Sequence, residues 1–161
     1  MEPSQSASAV AKLLAEHYAA TGPPIMAELA AVVRSAQTFF PDLEDWAVFL
    51  NVLTRAQASP EFAQLSRPAL LSRAVPVIPG LGTNVRSVAD ASGIPRETVR
   101  RKVHRLVERG YLEWRDSRLY PTAFAMEQLD PLRMQIYASV AKIWLIVERT
   151  RNSSGPSLDP C

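Results

Sequence analysis

Apolar residues recur every three or four positions over most of the chain, a spacing that predicts amphipathic helices. The first predicted helix carries its apolar stripe from Val10 to Tyr18, and the TGPP sequence of residues 21–24 is expected to stop it. The second predicted helix extends from Ile25 to Phe40, where Pro41 follows. Two helices are therefore expected before residue 42.

A third helix is expected to begin at Asp42 or Leu43, because the apolar positions after it keep the helical rhythm as far as Leu53. Ser59 and Pro60 mark its end. Residues 59–82 contain four prolines and two glycines, so short helical pieces and irregular chain are expected there. We interpret this stretch as a connector.

Two helices joined by a tight turn are predicted next. Thr83 or Asn84 is expected to cap a helix from Val85 to Ala91, which the Ser92–Gly93 pair ends. Ile94–Pro95 opens the following helix, because proline suits a first helical turn, and Gly110 stops it after Arg109. This order is typical of a helix-turn-helix.

Alternating apolar and polar residues then predict a small β-hairpin. Its strands are expected at Tyr111–Trp114 and Arg118–Tyr120, with the turn at residues 115–117. A final helical region is expected to follow as far as about Arg149. The polar, proline-bearing tail after it is expected to be disordered.

These elements predict a mainly α fold: a winged helix-turn-helix with a small two-stranded β-hairpin wing and flanking N- and C-terminal dimerisation helices. Dimerisation is expected because the flanking helices carry more apolar surface than a small winged domain can cover. The predicted regions are residues 1–41 and 123–150 for dimerisation, 42–122 for DNA binding with the connector 59–82, and 151–161 as a disordered tail.

Basic residues are concentrated in the predicted helix-turn-helix and wing. The 161-residue chain has a net charge of +2, which is too small to indicate a nucleic-acid partner. Residues 85–118, however, contain nine basic and five acidic side chains, a net charge of +4. The rest of the chain carries a net charge of −2. This segment is therefore the candidate for DNA binding.

The second helix of the motif has an apolar stripe at Val99, Val103 and Leu106, which fixes the face that points outward. Arg101 lies on that outward face, and its planar fork can donate two hydrogen bonds to guanine, so we expect it to read bases. Residues at the exposed amino end are secondary candidates for base contacts: Arg96, Glu97 and Thr98.

Other basic residues are expected to meet the DNA backbone. Arg100, Lys102 and Arg105 are expected to contact phosphates, and Arg115 and Arg118 on the wing tip to reach the backbone or the minor groove. The complete set of predicted DNA-binding residues is Arg86, Arg96, Glu97, Thr98, Arg100, Arg101, Lys102, Arg105, Arg115 and Arg118.

The string VRSVADASGIPRETVRRKVHRLVERGYLEWRDSRLYPT resembles a bacterial winged helix-turn-helix, and the wider order of helices resembles the MarR family of transcriptional regulators. The preceding PDLEDWAVFL is similar to the helix before the winged motif in that family. The resemblance implies a homodimer that binds double-stranded DNA and regulates transcription. It also allows an unknown small-molecule effector.

Composition adds expectations about the cellular setting. The single cysteine, Cys161, provides neither an internal disulfide nor a metal-binding pair, which fits a reducing compartment. Neither a signal-peptide pattern nor an apolar run near the roughly twenty residues that span a bilayer is recognised. We expect a soluble, cytoplasmic protein.

Enzymatic and metal chemistry find little support. His17 and His104 have no acid or cysteine partners at ligand spacing, and Glu108 and Glu113 have no neighbouring nucleophile. We therefore expect no enzyme activity, no metal and no cofactor. Two alternatives stay open. The winged helix can be a protein-protein interaction module without DNA binding. Three aromatic residues can line an effector cavity or belong to the core or dimer interface: Trp46, Tyr137 and Trp144.

Overall fold

The computed structural model describes residues 3–70 and 80–153, which fold as two compact units. One unit contains the described residues up to Ser35 and from Leu132 onward, and the other extends from Ala36 to Pro131. The described helices are α1 (Pro3–Glu16), α2 (Tyr18–Phe39), α3 (Leu43–Gln57), α4 (Pro60–Ala63), α5 (Arg67–Leu70), α6 (Val85–Ser92), α7 (Arg96–Glu108), α8 (Ala123–Gln128) and α9 (Asp130–Ser153). The described strands are β1 (Leu112–Arg115) and β2 (Arg118–Pro121).

In the first unit, α1 and α2 meet at His17, so the predicted helix stop at residues 21–24 is wrong. The Thr21 side chain is buried, and its hydroxyl lies 2.9 Å from the carbonyl oxygen of Leu14 and 3.0 Å from that of His17. These contacts bridge the break between the helices. Pro23 and Pro24 lie inside α2, where each removes one backbone hydrogen bond without ending the helix.

Glu28 links α2 to α9 within the same unit. Its carboxylate accepts a 2.9 Å hydrogen bond from the Ser139 hydroxyl and another of 2.9 Å from the Lys142 ammonium group. These two hydrogen bonds hold the pKa of Glu28 below its usual value. The two helices are thus joined by polar contacts.

The second unit has its core between α3, α6, α7 and the hairpin. Its completely or almost completely buried valine and leucine residues are Val48, Val52, Val88, Val99, Val103, Leu106, Leu112 and Leu119. Three rings extend this core, with centroids 5.7 to 6.2 Å apart: Phe40, Phe49 and Tyr111. The predicted apolar stripe of α7 is therefore confirmed as the face that anchors this helix.

Local signals fix the helix boundaries of the second unit. Asp42 caps α3 by accepting the backbone N–H of Asp45 at 2.9 Å, and Asn84 caps α6 by accepting that of Ser87 at 2.9 Å. Gly93 and Gly110 follow α6 and α7 with φ of 71° and 73°, a left-handed conformation that favours glycine. The predicted helix-turn-helix is confirmed.

The wing is an antiparallel hairpin in which Leu112 pairs with Pro121 and Arg115 with Arg118. Asp116 and Ser117 form its turn with φ of 46° and 61°. The first strand begins and ends one residue later than predicted, whereas the second begins at Arg118 as predicted and ends one residue later. Thr83 adds a bridge to this hairpin through two backbone hydrogen bonds with Leu119, of 3.2 and 2.8 Å. The sequence pattern did not predict this bridge.

The connector and the chain after the wing differ in part from the predictions. The connector contains the short helices α4 and α5, as expected, while residues 71–79 lie outside the described residues. The predicted final helix is two helices, because the chain turns at Leu129. Residues 151–153 of the predicted disordered tail continue α9, so that boundary is wrong, and residues 154–161 lie outside the described residues.

In the described ranges, no helix has both the length and the apolarity to cross a membrane.

Candidate nucleic-acid interface

Helix α7 presents a charged outer face because its inner face is fixed in the core. Val99, Val103 and Leu106 have no exposed surface. The residues on the opposite side of the helix are exposed: Glu97, Arg101, His104 and Glu108. The orientation predicted from the helical periodicity is therefore confirmed.

A groove of about 860 Å³ separates this outer face from the wing and from the start of α6. It is lined by Asn84, Val85, Arg86, Arg96, Glu97, Arg100, His104, Trp114 and Ser117. Four of the ten predicted DNA-binding residues meet in it, namely Arg86, Arg96, Glu97 and Arg100. Three arginines and one glutamate give this groove a net positive charge.

The arginines of the groove are only loosely paired. Arg100 lies 3.9 Å from Glu97, and Arg86 lies 3.9 Å from Asp90, with every side chain in both pairs more than 60% exposed. Exposed ion pairs of this kind contribute little to stability and are screened by salt. These guanidinium groups can therefore exchange their carboxylate partners for phosphates at small cost.

Arg101 and Thr98 do not line the groove. Arg101 is exposed on the outer face of α7, where it has no hydrogen-bond or ion-pair partner among the described residues, and Thr98 is half-buried. The fork of Arg101 is thus available to a ligand that covers this face. Its expected role in base reading stays a prediction.

Lys102 does not reach the surface, so its predicted contact with phosphate is wrong. Its side chain is only 4% exposed, and the ammonium nitrogen lies 2.8 Å from Asp42 Oδ1 and 2.9 Å from Glu44 Oε2. The fully buried Asp45 lies 3.6 Å away. Lys102 therefore attaches α7 to the start of α3, since all three carboxylates lie there.

Arg105 belongs to the same cluster. Its Nη2 lies 3.2 Å from Asp42 Oδ2 and 2.5 Å from Asp45 Oδ1, which leaves its side chain 42% exposed. A guanidinium held by two carboxylates is poorly placed to bind a phosphate, so the predicted role of Arg105 is also corrected. We call Asp42, Glu44, Asp45, Lys102 and Arg105 the α3–α7 ion cluster.

The ion cluster changes the proton affinity of its members. Burial alone raises the pKa of Asp42, but hydrogen bonds from Lys102 and from the Asp45 backbone, together with the nearby cations, bring it below its usual value. Burial lowers the pKa of Lys102, yet its hydrogen bonds to Asp42 and Glu44 leave it above the usual value. Both groups are therefore charged at neutral pH.

Arg109 lies one helical turn after Arg105, and its side chain also points toward the core of the second unit. Its Nη2 donates a 2.6 Å hydrogen bond to the carbonyl oxygen of Phe39, and its guanidinium carbon lies 4.6 Å from the centre of the Tyr111 ring. The end of α7 is thereby attached to the end of α2. The orientation of α7 is fixed by three cations as well as by its apolar stripe.

The two predicted wing arginines have different surroundings. Arg115 is paired with Glu113 at 3.2 Å and stays about half exposed. Arg118 donates a 3.3 Å hydrogen bond to the carbonyl oxygen of Gly82 and lines a separate cavity of about 490 Å³ between α3, α6 and the wing. Neither arginine lines the groove beside α7.

His104 and Trp114 line the groove but are not among the ten predicted DNA-binding residues, although the sequence predicts a surface or phosphate-facing position for His104. His104 is three and four residues beyond Arg101 and Arg100, so its place on the outer face was readable from the helical period. Trp114 lies two residues after the buried Leu112 and so points to the same face of the strand, which by itself indicates a core position. Only the folded hairpin brings its ring to the groove.

A family model described as the IclR helix-turn-helix domain matches residues 79–116. The match includes α6, the turn, α7 and β1. IclR is a different family from MarR, so this match does not support the resemblance to the MarR family. No curated protein and no solved structure matches the chain. The match and the geometry together indicate a helix-turn-helix transcription regulator that binds DNA.

Proposed function

We propose that the chain binds specific sequences of duplex DNA as a homodimer and regulates transcription through that binding. The observation that carries the proposal is the division of charge on α7. The inward cations Lys102 and Arg105 are neutralised by the ion cluster, while Arg96, Arg100 and Arg101 face outward. A helix held in this way can present its outer side chains to the major groove without rearrangement.

The groove and the outer face suit different parts of DNA. Arg86, Arg96 and Arg100 stand around a concave surface, where a sugar-phosphate strand would find three cations. Arg101 stands beyond that groove on the face that would point at base edges. Base reading by Arg101 and backbone binding by the groove arginines therefore follow from one orientation of α7.

A second copy of the chain is the partner we propose for α9. Five large apolar residues of this helix are each at least half exposed: Met134, Tyr137, Val140, Trp144 and Leu145. Four of them recur at helical spacing along one side, and an exposed apolar surface of this kind usually marks an interface. This exposure supports the proposed dimer, and we propose that Tyr137 and Trp144 belong to its interface.

The proposal also covers enzyme activity and cellular location. We propose a non-enzymatic protein of the cytoplasm. The effector allowed by the MarR resemblance stays a prediction, and Trp46 belongs to a different unit from Tyr137 and Trp144. Winged helices can also bind proteins alone, and the DNA-binding experiment separates that alternative.

Fluorescence anisotropy of labelled genomic duplexes, measured over a salt series, tests DNA binding. If each protomer uses three groove cations, a dimer neutralises about six phosphates, and affinity should fall by about 10³-fold between roughly 50 and 200 mM salt. Arg96→Gln/Arg100→Gln should reduce the salt slope, whereas Arg149→Gln on α9 should not. Absent or salt-independent binding of all fragments would favour a protein-interaction module instead.

Sedimentation equilibrium at micromolar concentration tests the dimer. The wild-type chain should give about twice its 17.8 kDa mass. Val140→Gln/Trp144→Gln should shift the protein toward the monomer, because polar side chains make burial of the α9 surface costly. Arg149→Gln, on the same helix but outside the apolar surface, is the matched control. A wild-type monomer would contradict the proposed assembly.

A further inference from the structure

Trp114 is an apolar residue on the core side of the wing that the protein leaves partly uncovered. It pairs directly with Leu119, and opposed residues of an antiparallel pair project to the same face. Leu119 has no exposed surface, but Trp114 is 40% exposed. The hairpin thus extends beyond the core at this position and carries the indole ring with it.

The surroundings of the ring are basic. Trp114 lines the groove beside α7 together with three arginines, Arg86, Arg96 and Arg100, and one glutamate, Glu97, so the charge around the ring is net positive. The indole N–H has no acceptor among the described residues. An exposed apolar ring with a free donor, in a groove of net positive charge, fits a ligand that has both an apolar surface and anionic oxygens.

The sugar-phosphate backbone of duplex DNA has both properties. Deoxyribose presents apolar C–H groups, and the adjoining phosphates present acceptors to the indole N–H and to the arginines. We propose that Trp114 packs on the deoxyribose of the strand that passes between α7 and the wing, and that its N–H donates to a neighbouring phosphate. This inference rests on the proposed function and adds a contact residue to it.

The contact assigns Trp114 to positioning and not to base reading. Every nucleotide offers the same sugar and phosphate, so the ring cannot distinguish sequences directly. It can fix how deeply the strand enters the groove, and thereby the register in which Arg101 meets the bases. Loss of the ring should therefore weaken binding to all duplexes while leaving the salt slope unchanged, because no cation is removed.

A chain that keeps only Trp114 tests the contact directly. In Trp46→Phe/Trp144→Phe, iodide quenching of the remaining fluorescence is measured with and without a bound duplex, at constant ionic strength. Bound DNA should protect Trp114 from iodide. The matched control, Trp46→Phe/Trp114→Phe, keeps only Trp144 of α9, and DNA should not change its quenching. Unchanged quenching of Trp114 in the bound complex would overturn the inference.

Affinity measurements complete the test. Trp114→Ala should weaken binding about tenfold, since an exposed part of a large ring is buried on DNA, and Trp114→Phe should recover part of that loss. If the wild-type chain binds no duplex, the proposed function fails. If it binds and Trp114→Ala stays within about twofold of it, only the present inference fails. Should Trp114→Ala not fold, the iodide measurement decides alone.

Discussion

The basic residues of α7 form two groups according to what their side chains touch. Arg96, Arg100 and Arg101 are exposed, and none of them is held by a buried carboxylate. Lys102 and Arg105 are held by carboxylates of α3. The first group is free to bind a polyanion, whereas the second fixes the helix that presents it.

Replacing Arg101 should change sequence preference more than overall affinity. Arg101→Ala removes a bidentate donor to guanine, so discrimination between the preferred duplex and a variant duplex should fall by about 1–3 kcal/mol. Arg100→Ala should weaken both duplexes alike and reduce the salt slope by about one phosphate contact. Anisotropy titrations of two duplexes measure both effects. Identical changes from the two substitutions would refute the assignment of roles.

Replacing Lys102 should lower stability. Lys102→Met leaves the buried Asp45 with one cation fewer, and we expect urea denaturation to give a loss of about 2 kcal/mol in the free energy of unfolding. Lys12→Met breaks an exposed 3.8 Å pair with Glu16 and should change stability by less than about 0.5 kcal/mol. Two equally small effects would mean that the ion cluster does not hold α7.

The ion cluster could not be predicted from the spacing of residues along α7 alone. The periodicity of α7 correctly separated the inner stripe at Val99 and Val103 from Arg101 on the outside. Lys102 lies at the border between the inner and outer faces of α7. Its side chain points inward because it binds Asp42, which is 60 residues away in the chain. No local pattern contains that partner, so a structural lysine was taken for a phosphate contact.

Helix boundaries were predictable from the sequence where a residue within a few positions of the boundary causes them. Asn84 caps α6 through a residue three positions away, and Gly93 ends it through its own backbone conformation. The TGPP sequence predicted a helix end that the structure does not have. The Thr21 hydroxyl donates across the break at His17, and α2 continues through both prolines. The Thr83 bridge to Leu119 was missed, since one paired residue leaves no alternating pattern.

The link between α3 and α7 should make stability depend on acid pH. The folded-state pKa of Asp42 lies below its usual value, so its stabilising contribution is present above the unfolded pKa of about 4. That contribution is lost as the pH falls through the lower folded-state pKa. Asp42→Asn keeps a good helix cap but removes the charge.

Urea midpoints measured between about pH 5 and pH 2 reveal this dependence. The difference in stability between wild type and Asp42→Asn should shrink as the pH falls. Asp90→Asn, which removes an exposed carboxylate 3.9 Å from Arg86, serves as the control and should differ little from wild type at any pH. A constant gap between wild type and Asp42→Asn would contradict the account of the ion cluster.

At the scale of the whole molecule, the chain has one unit that carries the helix-turn-helix and another that carries the exposed face of α9. The apolar stripes predicted the helices of both units but not their limits: residues 123–131, expected to belong to the C-terminal dimerisation region, are part of the second unit. The sequence placed the boundary after Pro41, whereas the second unit begins at Ala36 within α2. A continuous helix conceals such a boundary from any pattern based on periodicity.

Two copies joined through α9 would bind two DNA half-sites related by two-fold symmetry. The spacing of those half-sites should be about one helical turn, or roughly 10 base pairs, between centres. Sequence preference at each half-site should depend on Arg101. The duplex that the protein selects therefore reports on α7 and on the dimer in one experiment.

Selection from a pool of randomised duplexes, followed by sequencing of the bound fraction, tests the central claim most directly. The wild-type chain should enrich an inverted repeat, and Arg101→Ala should lose preference at guanine positions within each half of it. A pool that stays random after repeated selection at moderate salt, or an identical enriched sequence for both proteins, would contradict the claim that the outer face of α7 reads DNA.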